Sequence, residues 1–562
     1  MPFCIHCGSQ EPEGMAFCGS CGQSMTTLST TTNSHNPLQQ SMVTQTRNDP
    51  LAETVASAPA PLPIEESPAA THFSKDGRVT TRVPRPTAQG KKPLPLKTIM
   101  PHLPACIRLP GRWGLVLALI VLMGGGGIWA TWYLLAPSAY DQFVMKNGIQ
   151  FGFDAQHSGF NPYETELSPT TVALLVQAWT ATTNRAISSS PAVANGVIYA
   201  GTSDGKLYAF KADGCDQSTC PPLWTAATDG SISSSPAVLN GVAYVNSAYV
   251  HPNDGKLYAF RADGCGQVTC SPLWSARTGR TNSSPVVDNG VIYVSSGDNK
   301  LYAFKANSCG QPICSPLWTA TASKASFSSP AVANGVIYVS SGDSKLYAFK
   351  ANGCGQSTCS PLWTAATADA IASPPVVAKG VVYVSSGDGQ VQTANSQRGD
   401  SQSGKSLGSL LSGSHYQAYS KLYAFKADGC GQVTCSPLWT TTISGVILAS
   451  PAVANGVVYV DAGDDKLYAF KADGCGQPTC SPLWTAATDL TFSSPTVANG
   501  VVYVASGKGK LYALKANGCD QTVCSPLWTA TTGSAIGSSP VVANGMVYVG
   551  TNSGMLYAFH RK

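Results

Sequence analysis

A segment of about 45 residues recurs from Ser190 to the end of the chain, and this repeat limits the possible folds more than any other feature. Residues 328–363 show one complete copy, SSPAVANGVIYVSSGDSKLYAFKANGCGQSTCSPLW. Eight prolines open the copies of its SPxVxxG motif: Pro191, Pro236, Pro285, Pro330, Pro375, Pro451, Pro495 and Pro540. Eight tryptophans end the pattern: Trp179, Trp224, Trp274, Trp318, Trp363, Trp439, Trp484 and Trp528. The chain therefore carries eight repeat units.

Each unit predicts four short β-strands. Apolar residues alternate with a period of two in the runs PAVAN, VIYVSS, KLYAFKA and SPLWTA, and Asn-Gly and Gly-Asp-Ser sequences between them are typical of tight turns. Four strands in each of eight units indicate an all-β fold, an eight-bladed β-propeller over residues 172–562. Because Trp179 precedes the first unit and no tryptophan follows Phe559, we expect residues Val172 to Thr182 to supply the missing strand of the last blade and close the ring.

The repeat unit resembles that of the PQQ-like (quinoprotein dehydrogenase-like) β-propellers, and FDAQHSGFNPYETELSP, Phe153 to Pro169, resembles the segment that precedes such arrays in bacterial proteins. That family includes calcium- and quinone-dependent dehydrogenases, outer-membrane assembly factors and propellers without catalytic activity, so the resemblance implies the fold but not the activity. In the dehydrogenases it implies an adjacent Cys-Cys pair against the quinone and Glu, Asn and Asp ligands around Ca²⁺. This sequence has no adjacent cysteines.

The first 23 residues predict a zinc ribbon. Cys4, Cys7, Cys18 and Cys21 form two CxxCG motifs, which can direct four thiolates to one tetrahedral Zn²⁺. A segment this short cannot build a hydrophobic core, so the metal would supply the free energy of folding. Two disulfides are the alternative interpretation of these four cysteines.

Residues 24–112 predict a disordered linker, because they are rich in Thr, Ser, Pro, Gln and Ala and show no apolar period. Residues 113–135, WGLVLALIVLMGGGGIWATWYLL, carry no charge and would extend roughly 34 Å as a helix, enough to cross a bilayer. Basic residues precede this predicted transmembrane helix: Lys91, Lys92, Lys97, Arg108 and Arg112. This distribution predicts a single-pass protein of the cell membrane with a cytoplasmic N-terminus, a lead-in segment over residues 136–171 and an extracytoplasmic propeller.

Seven of the units contain a C-x4-C insert between the third and fourth strands, and we expect each pair to form a disulfide within its own loop. The pairs are Cys215 with Cys220, Cys265 with Cys270, Cys309 with Cys314, Cys354 with Cys359, Cys430 with Cys435, Cys475 with Cys480, and Cys519 with Cys524. Disulfides persist outside the cytosol, which agrees with the predicted orientation. An eighth pair is missing where ring closure interrupts the hairpin.

Two units carry insertions between their second and third strands. The second unit inserts residues Ala248 to Asn253, and the fifth inserts Gln390 to Ser420, which includes Arg398-Gly399-Asp400. Long loops on a rigid scaffold are frequent binding sites, although a tolerated insertion without a function explains them as well. We therefore expect any protein or surface ligand on the face of the ring that carries the 390–420 loop.

The sequence favours a non-catalytic binding or interaction scaffold anchored in the membrane, with structural zinc as its cofactor. The alternative is a PQQ-dependent dehydrogenase, and a second alternative is an interaction platform like the outer-membrane assembly factors. PQQ is not expected, because acidic residues such as Asp298, Asp343 and Asp464 recur at turns, where local hydrogen bonds explain them. The net charge of +5 over 562 residues gives no indication of nucleic-acid binding.

Overall fold

A computed structural model describes Phe143 and residues 149–248, 255–324, 328–371, 373–393, 416–489 and 493–562. The predicted zinc ligands Cys4, Cys7, Cys18 and Cys21, the linker and the apolar segment 113–135 lie outside these ranges. Within them, no helix has the length and apolar character needed to cross a membrane.

The propeller has eight antiparallel blades, as the repeat predicts. In each blade the first strand lies nearest the axis and the fourth lies at the circumference. In chain order the strands are: blade 1, Ala192–Ala194, Val197–Gly201, Lys206–Lys211 and Trp224–Ala227; blade 2, Ala237–Leu239, Val242–Ser247, Lys256–Arg261 and Trp274–Arg277; blade 3, Val286–Asp288, Val291–Ser295, Lys300–Lys305 and Trp318–Thr321; blade 4, Ala331–Ala333, Val336–Ser341, Lys345–Lys350 and Trp363–Ala366; blade 5, Val376–Ala378, Val381–Thr393, Tyr416–Lys426 and Trp439–Ser444; blade 6, Ala452–Ala454, Val457–Ala462, Lys466–Lys471 and Trp484–Ala487; blade 7, Thr496–Ala498, Val501–Ala505, Lys510–Lys515 and Trp528–Thr531; blade 8, Val541–Ala543, Met546–Gly550, Met555–Arg561 and, from the start of the propeller, Leu175–Thr182.

Blade 8 closes the ring by combining both ends of the propeller sequence. Its outer strand, Leu175–Thr182, pairs antiparallel with Met555–Arg561, and Trp179 lies opposite Ala558. A 3₁₀ turn, Val172–Leu174, precedes the outer strand. The predicted closure is therefore confirmed.

The turns between strands distinguish the two faces of the propeller disc. Tight turns such as Asn334-Gly335, both with positive φ (50° and 75°), connect the first and second strands. The face that carries these turns and the cysteine loops is called the turn face below, and the opposite face is called the insertion face. The predicted insertion of blade 5 lies on the insertion face, but part of it is strand rather than loop, since Gln392 pairs with Gln417 and Thr393 with Tyr416. Residues 394–415 and 249–254 lie outside the described ranges.

Neighbouring blades are joined by one recurrent aromatic contact. In blade 6 the ring of Trp484 lies 6.1 Å from that of Tyr459, and the Tyr459 hydroxyl donates to the carbonyl of Ala516 in blade 7 at 3.0 Å. Gly518 of the same loop covers the indole so closely that a Cβ there would lie 2.7 Å from Trp484 Cδ1. The glycine before the first cysteine therefore allows the blades to pack.

All seven predicted cysteine pairs are disulfides, with Cα–Cα distances of 5.6 or 5.7 Å. The loops also have a role that the sequence did not indicate, because each pairs in parallel with the outer strand of the preceding blade. In blade 1, for example, Thr225 N donates to Val268 O of the blade 2 loop at 2.8 Å. Four of these contacts are short strands, Thr269–Cys270, Thr358–Cys359, Thr434–Cys435 and Val523–Cys524.

Candidate functional site

The lead-in segment fills the axis of the ring. Ile149 exchanges two backbone hydrogen bonds with Val238, the middle residue of the inner strand of blade 2, at 2.9 and 2.7 Å. A short strand, Phe160–Asn161, pairs in parallel with the inner strand of blade 7. The chain itself thus occupies the position that a ligand on the axis would need.

The contacts repeat at one position of the blade. Seven blades form hydrogen bonds to the lead-in, each through the valine in the middle of its inner strand. Besides Val238, the bonds are Val287 N to Gln150 Oε1 at 2.7 Å, Val332 N to Ala155 O at 2.7 Å, Val377 N to Gln156 O at 2.9 Å, Val453 N to Ser158 O at 2.7 Å, Val497 N to Gly159 O at 2.7 Å, and Asn161 Nδ2 to Val542 O at 2.8 Å. Inner strands otherwise present unpaired backbone groups to the axis. The lead-in therefore satisfies the inner edges of the ring.

His157 is the most buried titratable group of the lead-in, at 1% exposure. Its Nδ1 lies 3.3 Å from the carbonyl of Pro375 and must donate, while Nε2 has no partner among the described residues. Burial lowers the pKa of His157 to about 4, against the opposing effect of the Pro375 carbonyl. A neutral imidazole with a free acceptor nitrogen thus borders a cavity of about 40 Å³ on the axis.

Asp154 lies on the turn-face side of the lead-in. Burial raises the pKa of its carboxyl group to about 6, although Ser158 donates to it from both Oγ (2.6 Å) and N (2.9 Å). Asp154 borders two off-axis cavities, one of about 690 Å³ between blades 5 and 6 and one of about 240 Å³ between blades 2 and 3. It is the acidic group best placed to meet a ligand on this face.

The two off-axis cavities differ in chemistry because single blades depart from the repeat. The larger is lined by Phe153, Phe160 and Tyr383 and by Lys379, which has φ of 48° at a turn position that is asparagine in the other seven blades. The smaller contains Asp288, whose pKa is raised by burial and which replaces an apolar residue of the other inner strands. Leu239, which is alanine or aspartate in the other inner strands, also lines the smaller cavity, so departures from the repeat give the two cavities different surfaces.

A ring of serines surrounds the axis at the insertion face. Six backbone N–H groups donate to the serine hydroxyl of the next blade, as Ser190 N does to Ser235 Oγ at 3.1 Å, and Ser539 N returns to Ser190 Oγ at 3.1 Å. Pro374 of blade 5 interrupts the ring because it has neither a hydroxyl nor an N–H. The ring and Phe151 border a cavity of about 240 Å³.

Asp461 is a buried carboxylate found in one blade. It is 2% exposed, accepts one hydrogen bond from Thr488 at 3.3 Å, and its Oδ2 has no partner among the described residues. Burial raises the pKa of Asp461 well above its usual value, and Asp464 and Asp465 add to this effect. In the other blades the equivalent residue is Ser, Asn, Ala or Gly, so a comparison of the repeats could have found it.

The turn aspartates that recur in the sequence do form local hydrogen bonds. Asp343 and Asp464 accept from the tyrosine four residues later, Tyr347 and Tyr468, each at 2.6 Å. Across the part of the chain that the structure describes, no three His, Cys, Asp or Glu side chains come together as a metal site. Sequence analysis missed Asp154 and His157, because the lead-in has no repeat against which an unusual residue would stand out.

Comparison with known proteins identifies the family. The family model described as outer membrane protein assembly factor BamB matches residues 176–267, 267–354, 315–402 and 474–562, together more than half of the chain. The chain belongs to the BamB family of PQQ-like propellers. The repeat resemblance is thereby confirmed at the level of this family. No curated protein matches the chain.

Solved structures similar to the BamB-family chain include a BamB protein and two quinohemoprotein alcohol dehydrogenases. BamB from Moraxella catarrhalis is 13% identical, with coverage of 69% of this chain and 99% of that one and a TM-score of 0.48. Quinohemoprotein alcohol dehydrogenase ADHIIG from Pseudomonas putida HK5 is 13% identical, covers 75% and 81%, and has a TM-score of 0.50. Quinohemoprotein alcohol dehydrogenase from Comamonas testosteroni is 12% identical, covers 76% and 82%, and has a TM-score of 0.50. The two dehydrogenases share the fold with this chain.

Proposed function

We propose that this protein is a membrane-anchored binding platform with an extracytoplasmic propeller, rather than a quinone-dependent oxidoreductase. The observation that carries the proposal is the lead-in on the axis, bonded at equivalent valines of seven inner strands. A cofactor on the axis would have to displace it, and each buried backbone group left unpaired would cost about 1–3 kcal/mol. The lead-in on the axis is therefore a structural part of the ring.

The residues present do not fit a quinone and its calcium ion. The sequence lacks the adjacent cysteines that the dehydrogenases imply, and within the described ranges no acidic cluster could hold a divalent ion. The Asp154 carboxylate already accepts two hydrogen bonds from Ser158, and Asp461 lies in the second strand of blade 6, away from the axis. Membership in the BamB family favours a protein partner over a small-molecule substrate.

The proposed location follows from the cysteines. Seven disulfides indicate that the propeller resides in an oxidising compartment. Cys4, Cys7, Cys18 and Cys21 would bind zinc on the cytoplasmic side of the predicted span at residues 113–135. Alkylation of the native protein followed by mass spectrometry tests both assignments: we expect the fourteen propeller cysteines to be blocked as disulfides and one zinc ion per chain. Fourteen free propeller thiols would contradict the location.

An activity assay tests the proposal against its alternative. The full-length protein, with and without added PQQ and Ca²⁺, is offered alcohols and sugars with an electron-accepting dye. We expect no turnover and no stoichiometric quinone binding. Dye-linked turnover that requires both PQQ and Ca²⁺ would overturn the proposal and establish the dehydrogenase.

A capture experiment tests the binding role and the expected face. The full-length protein and a variant in which residues 390–420 are replaced by a short Gly-Asp turn are compared as baits in native membranes. We expect the protein partner to be captured by the wild type and to be depleted with the variant, because the insertion extends from the insertion face. Equal capture by both baits would exclude the 390–420 loop as the binding surface.

A further inference from the structure

The outer strand of blade 7, Trp528–Thr531, differs from every other outer strand. In the other seven blades the residue after the tryptophan of the outer strand donates its backbone N–H to the cysteine loop of the next blade: Thr180 to Ser218 O (2.8 Å), Thr225 to Val268 O (2.8 Å), Ser275 to Pro312 O (2.9 Å), Thr319 to Ser357 O (2.8 Å), Thr364 to Val433 O (2.8 Å), Thr440 to Pro478 O (2.8 Å) and Thr485 to Thr522 O (2.8 Å). In blade 8 the third strand, Met555–Arg561, pairs directly with Leu175–Thr182, and within the described ranges no cysteine loop joins the two. Thr529 is the equivalent residue in blade 7; it is exposed and pairs with Tyr512 in the register in which Thr485 pairs with Tyr468, but among the described residues no loop carbonyl accepts from its N–H.

Tyr503 differs from its equivalents at the same place. Its seven equivalents donate their hydroxyls to the alanine that begins the next blade's cysteine loop, as Tyr459 does to Ala516. Tyr503 is 0% exposed, and its hydroxyl has no partner among the described residues. The structure therefore leaves both a buried donor and a strand edge unsatisfied at the junction of blades 7 and 8.

Trp528 and its surroundings make this edge apolar as well as open. The other seven tryptophans are 2–6% exposed, whereas Trp528 is partly exposed and contacts Phe559 edge-on at 5.4 Å. Its indole N–H donates to Leu175 O at 3.0 Å, and the flanking residues Leu174 and Val176 are 53% and 38% exposed. An unpaired edge bordered by apolar side chains is a template for the addition of another strand.

We propose that the outer strand of blade 7 is a strand-addition site that binds an extended peptide segment of a protein partner, parallel to Trp528–Thr531. The seven cysteine loops show the chemistry that fits such an edge. Their segments are uncharged from the glutamine to the second cysteine, and the residue before that cysteine is always β-branched: Thr219, Thr269, Ile313, Thr358, Thr434, Thr479 and Val523. The occupant is therefore a short, uncharged, extended segment with a β-branched residue, held by main-chain hydrogen bonds.

This inference rests on the proposed role as a binding platform and adds a second surface to it, at the circumference. Its test uses a probe taken from the chain itself, the disulfide-closed peptide GCGQVTCSPLW, which corresponds to residues 264–274. Hydrogen exchange of the full-length protein is measured with and without up to about 1 mM peptide. In the free protein we expect the Thr529 amide to exchange at least tenfold faster than the equivalent Thr485 amide, and we expect the peptide to slow exchange over residues 528–531 at least tenfold.

Two substitutions at one position provide the matched comparison. Thr529→Pro removes the outward N–H at an edge position where proline is tolerated, and it should abolish the protection. Thr529→Val keeps the N–H and the shape of the side chain, and it should retain the protection. Protection that survives Thr529→Pro, or none in the wild type, would overturn the proposal. Protection that appears without peptide and rises with protein concentration would assign the edge to a second copy of the chain and would also overturn it.

Failure of this site and failure of the proposed function give different results. If the edge binds nothing, the peptide leaves the exchange unchanged while the protein still shows no dye-linked turnover. If the protein is an oxidoreductase, dye-linked turnover appears regardless of the rate at which the Thr529 amide exchanges. Should Thr529→Pro not fold, the exchange rates of Thr529 and Thr485 in the wild type and their response to the peptide still decide the question.

Discussion

Trp179, in the strand that begins the propeller sequence, lies directly opposite Ala558, in the strand that ends it. The backbone pairing continues along both strands from Leu175 with Arg561 to Thr182 with Met555. This closure places the N-terminal and C-terminal ends of the propeller in one blade. The integrity of the ring therefore depends on the last residues of the chain.

Deletion of residues 553–562 should abolish cooperative unfolding of the propeller. The deletion removes the third strand of blade 8 and exposes the edges of both Met546–Gly550 and Leu175–Thr182. Thermal unfolding followed by circular dichroism, together with light scattering, measures the effect. Deletion of Lys562 alone, which follows the strand, serves as the control and should change little. A truncated protein that melts like the intact one would show that closure is dispensable.

Tyr503→Phe should leave the free energy of unfolding unchanged or raise it, whereas Tyr459→Phe should lower it by about 1 kcal/mol. The Tyr459 hydroxyl donates to Ala516 at 3.0 Å, while the buried Tyr503 hydroxyl has no partner among the described residues. Chemical denaturation of the two variants measures the difference at equivalent positions of neighbouring blades. Equal losses would mean that Tyr503 has an acceptor.

Gly474→Ala should destabilise the propeller by about 1–3 kcal/mol more than Gly476→Ala. Both glycines have positive φ (79° and 75°), so both substitutions carry the same backbone cost. A Cβ on Gly474 would lie 2.7 Å from Trp439 Cδ1, whereas nothing lies within 4 Å of one on Gly476. Denaturation of both variants under oxidising conditions isolates the contact with the indole.

The equivalent position in blade 3 allows the reverse substitution. Ser308 has φ of 81° where six other loops have glycine. Ser308→Gly should therefore raise the free energy of unfolding by about 1 kcal/mol. A loss of stability in this variant, or equal losses in Gly474→Ala and Gly476→Ala, would contradict the packing explanation.

Asp461→Asn should stabilise the propeller relative to the wild type, and this difference in the free energy of unfolding should grow as pH rises. Burial raises the pKa of folded Asp461, while the unfolded residue ionises near its ordinary pKa of about 3.9. Between these two values unfolding releases a proton, so the stability that neutral Asp461 provides at low pH is lost by about 1.4 kcal/mol per pH unit until the folded pKa is reached. Asparagine stays neutral and occurs at the equivalent position in blade 2, where Asn246 donates to Ser283 O at 2.6 Å.

Urea unfolding between about pH 4 and pH 8 tests this dependence. The difference in stability between Asp461→Asn and the wild type should grow with pH, because Asp154, whose raised pKa acts in the same direction, contributes equally to both proteins. Asp473→Asn is the control, since the Asp473 side chain is 74% exposed. A difference that does not change with pH would show that Asp461 is ionised in the folded protein.

The sequence by itself determined the features that depend on local pattern and on the count of repeats. Alternating apolar residues and Asn-Gly turns predict the strands, because both signals act over a few residues. The surplus tryptophan at Trp179 predicts the closing strand, and the C-x4-C spacing predicts disulfides whose partners are close in the chain. The family match agrees with the predicted repeat fold.

Only the tertiary structure decided what lies on the axis and what lies open at the circumference. The lead-in from Ile149 to Asn161 has no period that would predict pairing with seven different blades, since its partners come together only when the ring closes. At the same junction, and within the described ranges, Thr529 and Tyr503 lack the loop partners that their equivalents have. Nearly identical repeats acquire different environments because one blade of the closed ring is built from two segments that are distant in the sequence.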